Sequence, residues 1–381
     1  SLFDSMKVKT QLAAPTGRAA KRLSEVTGRE ASTIHRLLEA QFDEATGLMS
    51  FFHDEDEPLK IDAMIVDETS MVDLQLMLSL LRALTPNCRL ILVGDPDQLP
   101  SVGAGNVFSD LIRSGKIATV RLTEIFRQAQ ESLIVMNAHA VNAGEMPRPS
   151  SADGDFFIMK RADPASVIET VAQLCAQRLP KHYGFTPAQI QVLSPAKRHG
   201  SGTIPLNRRL QEALNPPSES KLEKRFGDTI FREGDRVMQV RNNYDIVWEK
   251  QGDDEQGTGV FNGDIGILER IDPHGDTLSV RYDDRVALYT RQDAQDLQLS
   301  YAATIHKSQG SEFDAVVLPL FHQQKLLCYR NLLYTAVTRA RKLLIIVGSR
   351  DTVEEMVRND RKTLRYSGLQ SFITMWRESG L

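Results

Sequence analysis

Two adjacent carboxylates, Asp67 and Glu68, end the short apolar run Ala63 to Val66, and a second run, RLILV at 89–93, ends in Gly-Asp-x-x-Gln at 94–98. An apolar run that short, closed by charge, reads as a fully buried parallel strand, and the carboxyl tip of such a strand is where open α/β sheets place ligands. Side-by-side carboxylates at a strand tip suit nucleotide hydrolysis. One holds a magnesium ion through water, and the other orients or deprotonates the attacking water. Asp95 and Gln98 at the second tip add a glutamine able to sense a terminal phosphate. Asp-Glu pairs are common, however, and alone they do no more than solvate a strand end.

Two arginines extend the pattern. Arg127 stands three residues after Glu124 in VRLTEIFRQ (120–128), and Thr338-Arg339 closes a helix in NLLYTAVTRARKLLIIVG (331–348). Read singly, Arg127 is a surface ion-pair residue. Beside a hydrolytic carboxylate pair it becomes a phosphate contact, and Arg339 at a helix end fits an arginine finger. For Lys307 and Arg341 alone, a solvated helix face is the simpler reading.

The elements that must position these groups alternate strand and helix. A strand at 10–16 delivers the loop APTGRAA (14–20), where Arg18, Lys21 and Arg22 put positive charge at the mouth of the next helix, as a phosphodiester-contacting loop requires. STIHRLL (32–38) starts a second helix with Ser32 or Thr33 as its cap, and its His35 reads as a packing or capping residue. Around 40–60, two short strands flank a Thr-Gly turn, a β-hairpin. A helix at 73–84 separates the two buried strands. The Gly-, Pro- and Ser-rich NAGEMPRPSSADGD after Val141 reads as a linker. A helix (164–179), a strand (190–195) and the basic loop AKRHGSG (196–202) follow. From 226 to 299 the helical period gives way to short strands punctuated by Gly and Asp, a small β-barrel inserted in an α/β domain, with 240–257 read as a polar loop. The α/β pattern then resumes with TIHKSQGSEF (304–313).

Composition bounds the rest. The 381 residues suffice for two or three domains, and 41% hydrophobic with 25% charged residues is the balance of an ordinary soluble globular protein. No apolar run is long enough for a membrane span and residues 1–20 carry no signal-peptide pattern, so the expected location is the cytoplasm. Cys88, Cys175 and Cys328 form no C-x-x-C pair and are expected to be buried and reduced. A net charge of −4 argues against a wholesale basic protein but allows a local basic groove.

Taken in order, APTGRAA, IVDETSM, VGDPDQLPSVGAG, TEIFRQ, TIHKSQGSEF and YTAVTRAR resemble the motif series of a superfamily 1 DNA helicase, closest to the RecD/TraA-type group that moves 5′ to 3′ on single-stranded DNA. The resemblance covers nearly the whole chain. It implies an α/β protein of two RecA-like domains of the P-loop NTPase type with parallel sheets, a β-hairpin insertion in the first and an SH3-like barrel in the second. The first domain would span 1–145 with its hairpin at about 40–60, the second 146–225 and 300–381, and the barrel 226–299. The implied cofactors are ATP and Mg²⁺. Asp67 becomes the magnesium-side carboxylate, Glu68 the catalytic base, Gln98 the γ-phosphate sensor, and Arg127 and Arg339 the transition-state arginines. Asp95, Gly310 and Glu312 join the nucleotide side. Pro15, Thr16, Arg18, His35, Lys197, Thr304, His306 and Lys307 fall in motifs that line the DNA path or couple it to the nucleotide. The hairpin at 42–52 matches the family's strand-separating pin.

One departure stands against this set: no G-x-x-x-x-G-K-[ST] phosphate-binding loop occurs in the 381 residues. The expectation is that it lies upstream of Ser1, and that this chain alone binds little or no ATP. The implied partners are single-stranded and duplex DNA and, for a chain acting as a subunit, the other subunits of a RecBCD-like complex serving recombination or repair. A non-hydrolysing DNA-binding or structural subunit is the competing reading. Retention of Asp67, Glu68, Gln98, Arg127 and Arg339 together speaks against it.

Overall fold

The computed structural model describes residues 2–43, 48–122, 131–151, 153–198, 200–252, 255–274, 277–321, 324–360 and 367–378. They divide into two compact units, residues 1–124 with 362–381, and residues 125–361.

In the first unit α1 (Leu2–Ser5) leads to β1 (Thr10–Ala14), α2 (Gly17–Thr27), β2 (Ala31–Thr33), α3 (Ile34–Leu37), the antiparallel pair β3 (Ala40–Asp43) and β4 (Leu48–Phe51), β5 (Ala63–Val66), α4 (Leu74–Arg82), β6 (Arg89–Leu92) and α5 (Val107–Arg113). The main sheet runs β2-β1-β5-β6, and every pairing is parallel, so all four carboxyl ends lie along one edge. Ala63, Met64 and Val66 of β5 are buried, as a strand covered on both faces requires. β6 is an edge strand, and Ile91 on it and Val93 just beyond it are exposed. The helices are stopped and started by local chemistry. Thr16 Oγ1 accepts from the Ala19 N–H at the start of α2, and Gly28 ends that helix with φ 65°, a left-handed conformation that glycine adopts without Cβ strain. Of the two candidate caps for α3, Thr33 is the one used, accepting from the Arg36 N–H at 3.1 Å.

In the second unit α6 (Leu133–Ala143) precedes β7 (Phe156–Lys160) and α7 (Pro164–Gln173), which runs through one π-helical turn, Leu174–Arg178, into α8 (Leu179–Tyr183). β8 (Ile190–Ser194), α9 (Thr203–Leu214), β18 (Ala302–Thr304), β19 (Phe313–Leu320), α10 (Arg330–Val337), β20 (Ala340–Gly348) and α11 (Arg350–Arg358) complete the α/β part. Its sheet runs β18-β8-β19-β20-β7, again wholly parallel. Val167, Val192, Leu206, Val317 and Ile345 close one core over it, each such side chain contributing about 1.5–3 kcal/mol by leaving water.

Between α9 and β18 lies the insertion. A hairpin of β9 (Glu223–Phe226) and β10 (Thr229–Arg232) leads to β11 (Arg236–Gln239), β12 (Asn243–Lys250), β13 (Gln256–Val260), β14 (Ile265–Ile271), β15 (Thr277–Tyr282), β16 (Arg285–Thr290) and β17 (Leu297–Leu299). The seven strands β11–β17 form one antiparallel sheet, β13-β12-β16-β15-β14-β11-β17. Phe231, Val237, Ile246, Leu268, Val280, Tyr289 and Leu297 share a single cluster, so the sheet wraps around its own core. The fold is thus α/β with two RecA-like parallel-sheet domains, a hairpin in the first and an SH3-like barrel in the second.

Several readings need correction. Residues 243–250, expected as loop, form β12; of its side chains only Ile246 is fully buried, which is why no apolar alternation marked it. Cys88 is half-buried, whereas Cys175 and Cys328 are buried, and none of the three forms a disulfide among the described residues. Of the described residues, α6 lies with the second unit. α6 belongs to the second unit because Asp155 caps it, accepting from Ser132 Oγ (2.6 Å) and the Leu133 N–H (3.0 Å). The Gly/Pro-rich stretch that read as a linker is held to α6, with Asn137 donating to the Arg148 carbonyl and accepting from its N–H. The last helix, α12 (Leu369–Glu378), belongs to the first unit, where Gln370 Nε2 donates to the Arg113 carbonyl at the end of α5.

Candidate nucleotide and nucleic-acid sites

In the first unit, the sequence-predicted residues gather at the carboxyl edge of the sheet. β1 delivers Pro15, Thr16 and Arg18; β2 and α3 deliver His35; β5 delivers Asp67 and Glu68; β6, paired in register Val66 to Leu92, delivers Asp95 and Gln98. Asp67 Oδ1 accepts from the Glu68 N–H at 2.8 Å. Glu68 sits at φ 50°, a left-handed conformation that costs a side-chain-bearing residue about 1–2 kcal/mol. The next residue locks the turn: the Thr69 hydroxyl donates to the Val66 carbonyl and its N–H to the Val93 carbonyl, tying the tips of β5 and β6 together. Beyond β6, Asp95 Oδ1 accepts from the Asp97 N–H (2.9 Å) and Oδ2 from Gln98 Nε2 (3.4 Å). Gly94 is needed here, since a Cβ would come within 3.1 Å of the Thr69 nitrogen.

Asp73 is the residue the sequence reading passed over. It caps α4, accepting from the Leu76 N–H at 2.8 Å, and the loop after β6 folds onto it so closely that a Cβ on Gly103 would lie 2.0 Å from its carboxylate oxygen. Its local signal was an Asp immediately before the apolar LQLMLSLL. His35 lies near enough to feel it: half-burial lowers the imidazole pKa while the Asp73 charge opposes that shift.

In the second unit the predicted residues separate into two groups. Lys197 follows β8, and Thr304, His306 and Lys307 follow β18, whose Thr304 pairs in register with Ser194, so these four share the carboxyl edge. Lys197 and His306 are exposed and Lys307 is half-buried. Burial, reinforced by the charge of Lys197, pushes the Lys307 ammonium down to about 8. Gly310, Glu312 and Arg339 lie at the opposite, amino edge, where β19 and β20 begin side by side at Phe313 and Ala340. Arg339 is buried, and its guanidinium donates to the carbonyls of Thr335 (3.3 Å) and Ser311 (3.2 Å) and to the Thr338 hydroxyl (3.3 Å). Glu312 pairs with Arg341 at 3.0 Å. Arg127 lies outside the described residues.

These are hard oxygen donors and cations, suited to Mg²⁺ and phosphate and not to a soft metal. Among the described residues no three His, Cys, Asp or Glu side chains gather as a metal cage. A magnesium ion held by one carboxylate, water and substrate phosphates needs none.

Three segments of the chain match known domain families. Residues 2–104 match an AAA domain, 206–282 the SH3 domain of ATP-dependent RecD-like DNA helicases, and 299–347 the UvrD-like helicase C-terminal domain. The ATP-dependent RecD2 DNA helicase of Deinococcus radiodurans is 37% identical over 349 residues, which is 91% of this chain and 44% of that protein. The chain is a homologue of the RecD-type helicases. The RecBCD enzyme subunit RecD of Mycolicibacterium smegmatis is 31% identical over 94% of this chain and 65% of its own length. The chain therefore spans 44% and 65% of the lengths of these two relatives. A Pif1 helicase from Bacteroides, solved in complex with ADP-AlF3 and single-stranded DNA, shares the fold at TM-score 0.52 and 19% identity, covering 98% of this chain and 88% of that one. Among the described residues no helix is long and apolar enough to cross a membrane.

Proposed function

We propose that this RecD-type chain carries most of the motor of an ATP-dependent, Mg²⁺-requiring DNA helicase or translocase, tracking single-stranded DNA 5′ to 3′ in recombination or repair. The observation that carries the reading is the joined pair of strand tips. Asp67-Glu68 and Gly94-Asp95, with Gln98, stand on adjacent parallel strands tied through Thr69. Asp67 would hold the magnesium ion, which neutralises phosphate charge. Glu68 would accept a proton from the attacking water, and Gln98 would sense the γ-phosphate. Arg127 and Arg339 would stabilise charge on the transferring phosphoryl group, the latter already stretched along fixed carbonyls. Pro15, Thr16, Arg18, His35, Lys197, Thr304, His306 and Lys307 would contact the strand or couple it to the nucleotide, the cations through phosphates. Other subunits of a RecBCD-like complex are its proposed protein partners.

The test is DNA-stimulated ATP hydrolysis by the full gene product. Glu68→Gln and Arg339→Ala should each lower the rate by about a hundredfold or more. Unchanged rates would remove both residues from the mechanism.

A further inference from the structure

β17 is joined to β18 by only Ser300 and Tyr301, and buried side chains of the α/β domain close on that connector. Asn207 of α9 donates from Nδ2 to the carbonyls of Leu299 (3.0 Å) and Ala302 (2.9 Å) and accepts from the Ala302 N–H (2.7 Å). Gln191 of β8 donates from Nε2 to the carbonyls of Tyr301 (3.3 Å) and Ser300 (3.4 Å). The Tyr301 hydroxyl donates to Asp235 Oδ1 at 2.9 Å. Asp235, at the mouth of the barrel, is fully buried. Its Oδ1 also accepts from Asn215 Nδ2 (2.8 Å), and its Oδ2 from Gln211 Nε2 (2.6 Å) and the Arg232 N–H (2.7 Å).

A connector between domains ordinarily runs over the surface, its backbone satisfied by water, and it bends. This one is held by fixed buried side chains and by backbone pairing, with the Ser300 N–H donating to the Arg236 carbonyl at 2.8 Å. Among the described residues Gln191 Oε1 and Ser300 Oγ are left without a partner. The carbonyls of Leu299, Ser300, Tyr301 and Ala302 nonetheless all accept from buried amide side chains, which stiffens the connector. β18 ends at Thr304, and His306 and Lys307 follow at once.

We propose that this network makes the barrel and the Thr304–Lys307 segment one mechanical piece, with Asp235 and Asn207 as positioning residues for the DNA contact, so that load on the barrel reaches that segment undamped. The mechanical half stands on the geometry alone; its consequence for DNA rests on the function proposed above.

Two variants of the 381-residue chain test it. Tyr301→Phe removes one donor and little volume, whereas Asp235→Asn replaces one accepting oxygen by an amide donor that faces fixed donors. Hydrogen exchange needs no DNA. Both variants should exchange amides of 302–308 about tenfold faster, with β14–β16 and the first unit unchanged. Should Asp235→Asn fail to fold, Tyr301→Phe still decides. Unaltered exchange at 302–308 in the folded variants overturns the proposal, as does acceleration spread equally over the chain. Binding of a fluorescein-labelled oligothymidylate should weaken about fivefold in Tyr301→Phe, and this loss should vanish on a Lys307→Ala background. An equal loss on both backgrounds rules out action through the segment. If the unmodified chain fails to bind the oligothymidylate while exchange responds as expected, the DNA reading falls and the rigid link stands.

Discussion

Asp67 and Glu68 are neighbours in sequence whose backbones take opposite hands: Asp67 ends a buried strand, and the N–H of Glu68, itself at φ 50°, donates back to the Asp67 carboxylate at 2.8 Å. The turn fixes the Asp67 carboxylate by a hydrogen bond from the backbone of the residue that follows it.

That strain is measurable. Glu68→Gly should raise the unfolding free energy by about 0.5–1 kcal/mol, because glycine takes the left-handed conformation without the Cβ clash. Glu68→Gln should leave stability almost unchanged while removing the base. Denaturant titration of both variants beside their ATPase rates separates strain from chemistry.

Gly103→Ala should destabilise the first unit by about 2–4 kcal/mol. Its Cβ would overlap the Asp73 carboxylate, forcing loss of the α4 cap in addition to the steric cost. Gly115→Ala, where φ is 64° and nothing lies within 4 Å, should cost only about 1 kcal/mol. Thermal unfolding of the pair distinguishes contact from conformation.

Lys307 predicts a pH dependence with a defined sign. Its folded value, about 8, lies below that of an ordinary lysine, so between the two the unfolded chain holds the proton more tightly. Its contribution to stability therefore rises with pH from about 8 towards the ordinary lysine value, and is constant below. Affinity for single-stranded DNA should move the other way, falling as pH rises from about 7 to 9 as the free chain loses this charge. The slope of log K against log salt should become shallower by about 0.7 for one lost phosphate contact, and Lys307→Arg should remove most of the pH effect.

The thiols should react in an order set by burial. Burial pushes Cys175 up to about 12 and Cys328 up to about 11, whereas Cys88 is only half-covered. Iodoacetamide at pH 8 should label Cys88 first, with Cys175 more than about a hundredfold slower until the chain unfolds. Peptide mapping against time checks this.

The sequence by itself determined the strand tips. The run Ala63–Val66 declares a buried parallel strand through its own composition, whereas Arg89–Leu92, read as equally buried, is parallel but lies at the sheet edge with none of its residues buried; the charged residues that end both runs fall where strands end. The helix caps Thr16, Thr33 and Asp73 were equally local, because a cap acts over three residues. Only the tertiary structure decided the rest. β12 is a strand because β13 and β16 flank it, not because its polar residues prefer extension. α6 belongs to the second unit because Asp155, twelve residues past its end, caps it. Asp235, Asn207, Gln191 and Tyr301 carry no shared spacing, since each contributes one hydrogen-bonding group from a different element. The same holds for the separation of Lys307 from Arg339, which lie on opposite edges of one sheet although both follow in the last eighty residues. Patterns along a chain report what a residue does to its near neighbours; a parallel sheet brings together groups a hundred residues apart, and only its register says which edge each will share.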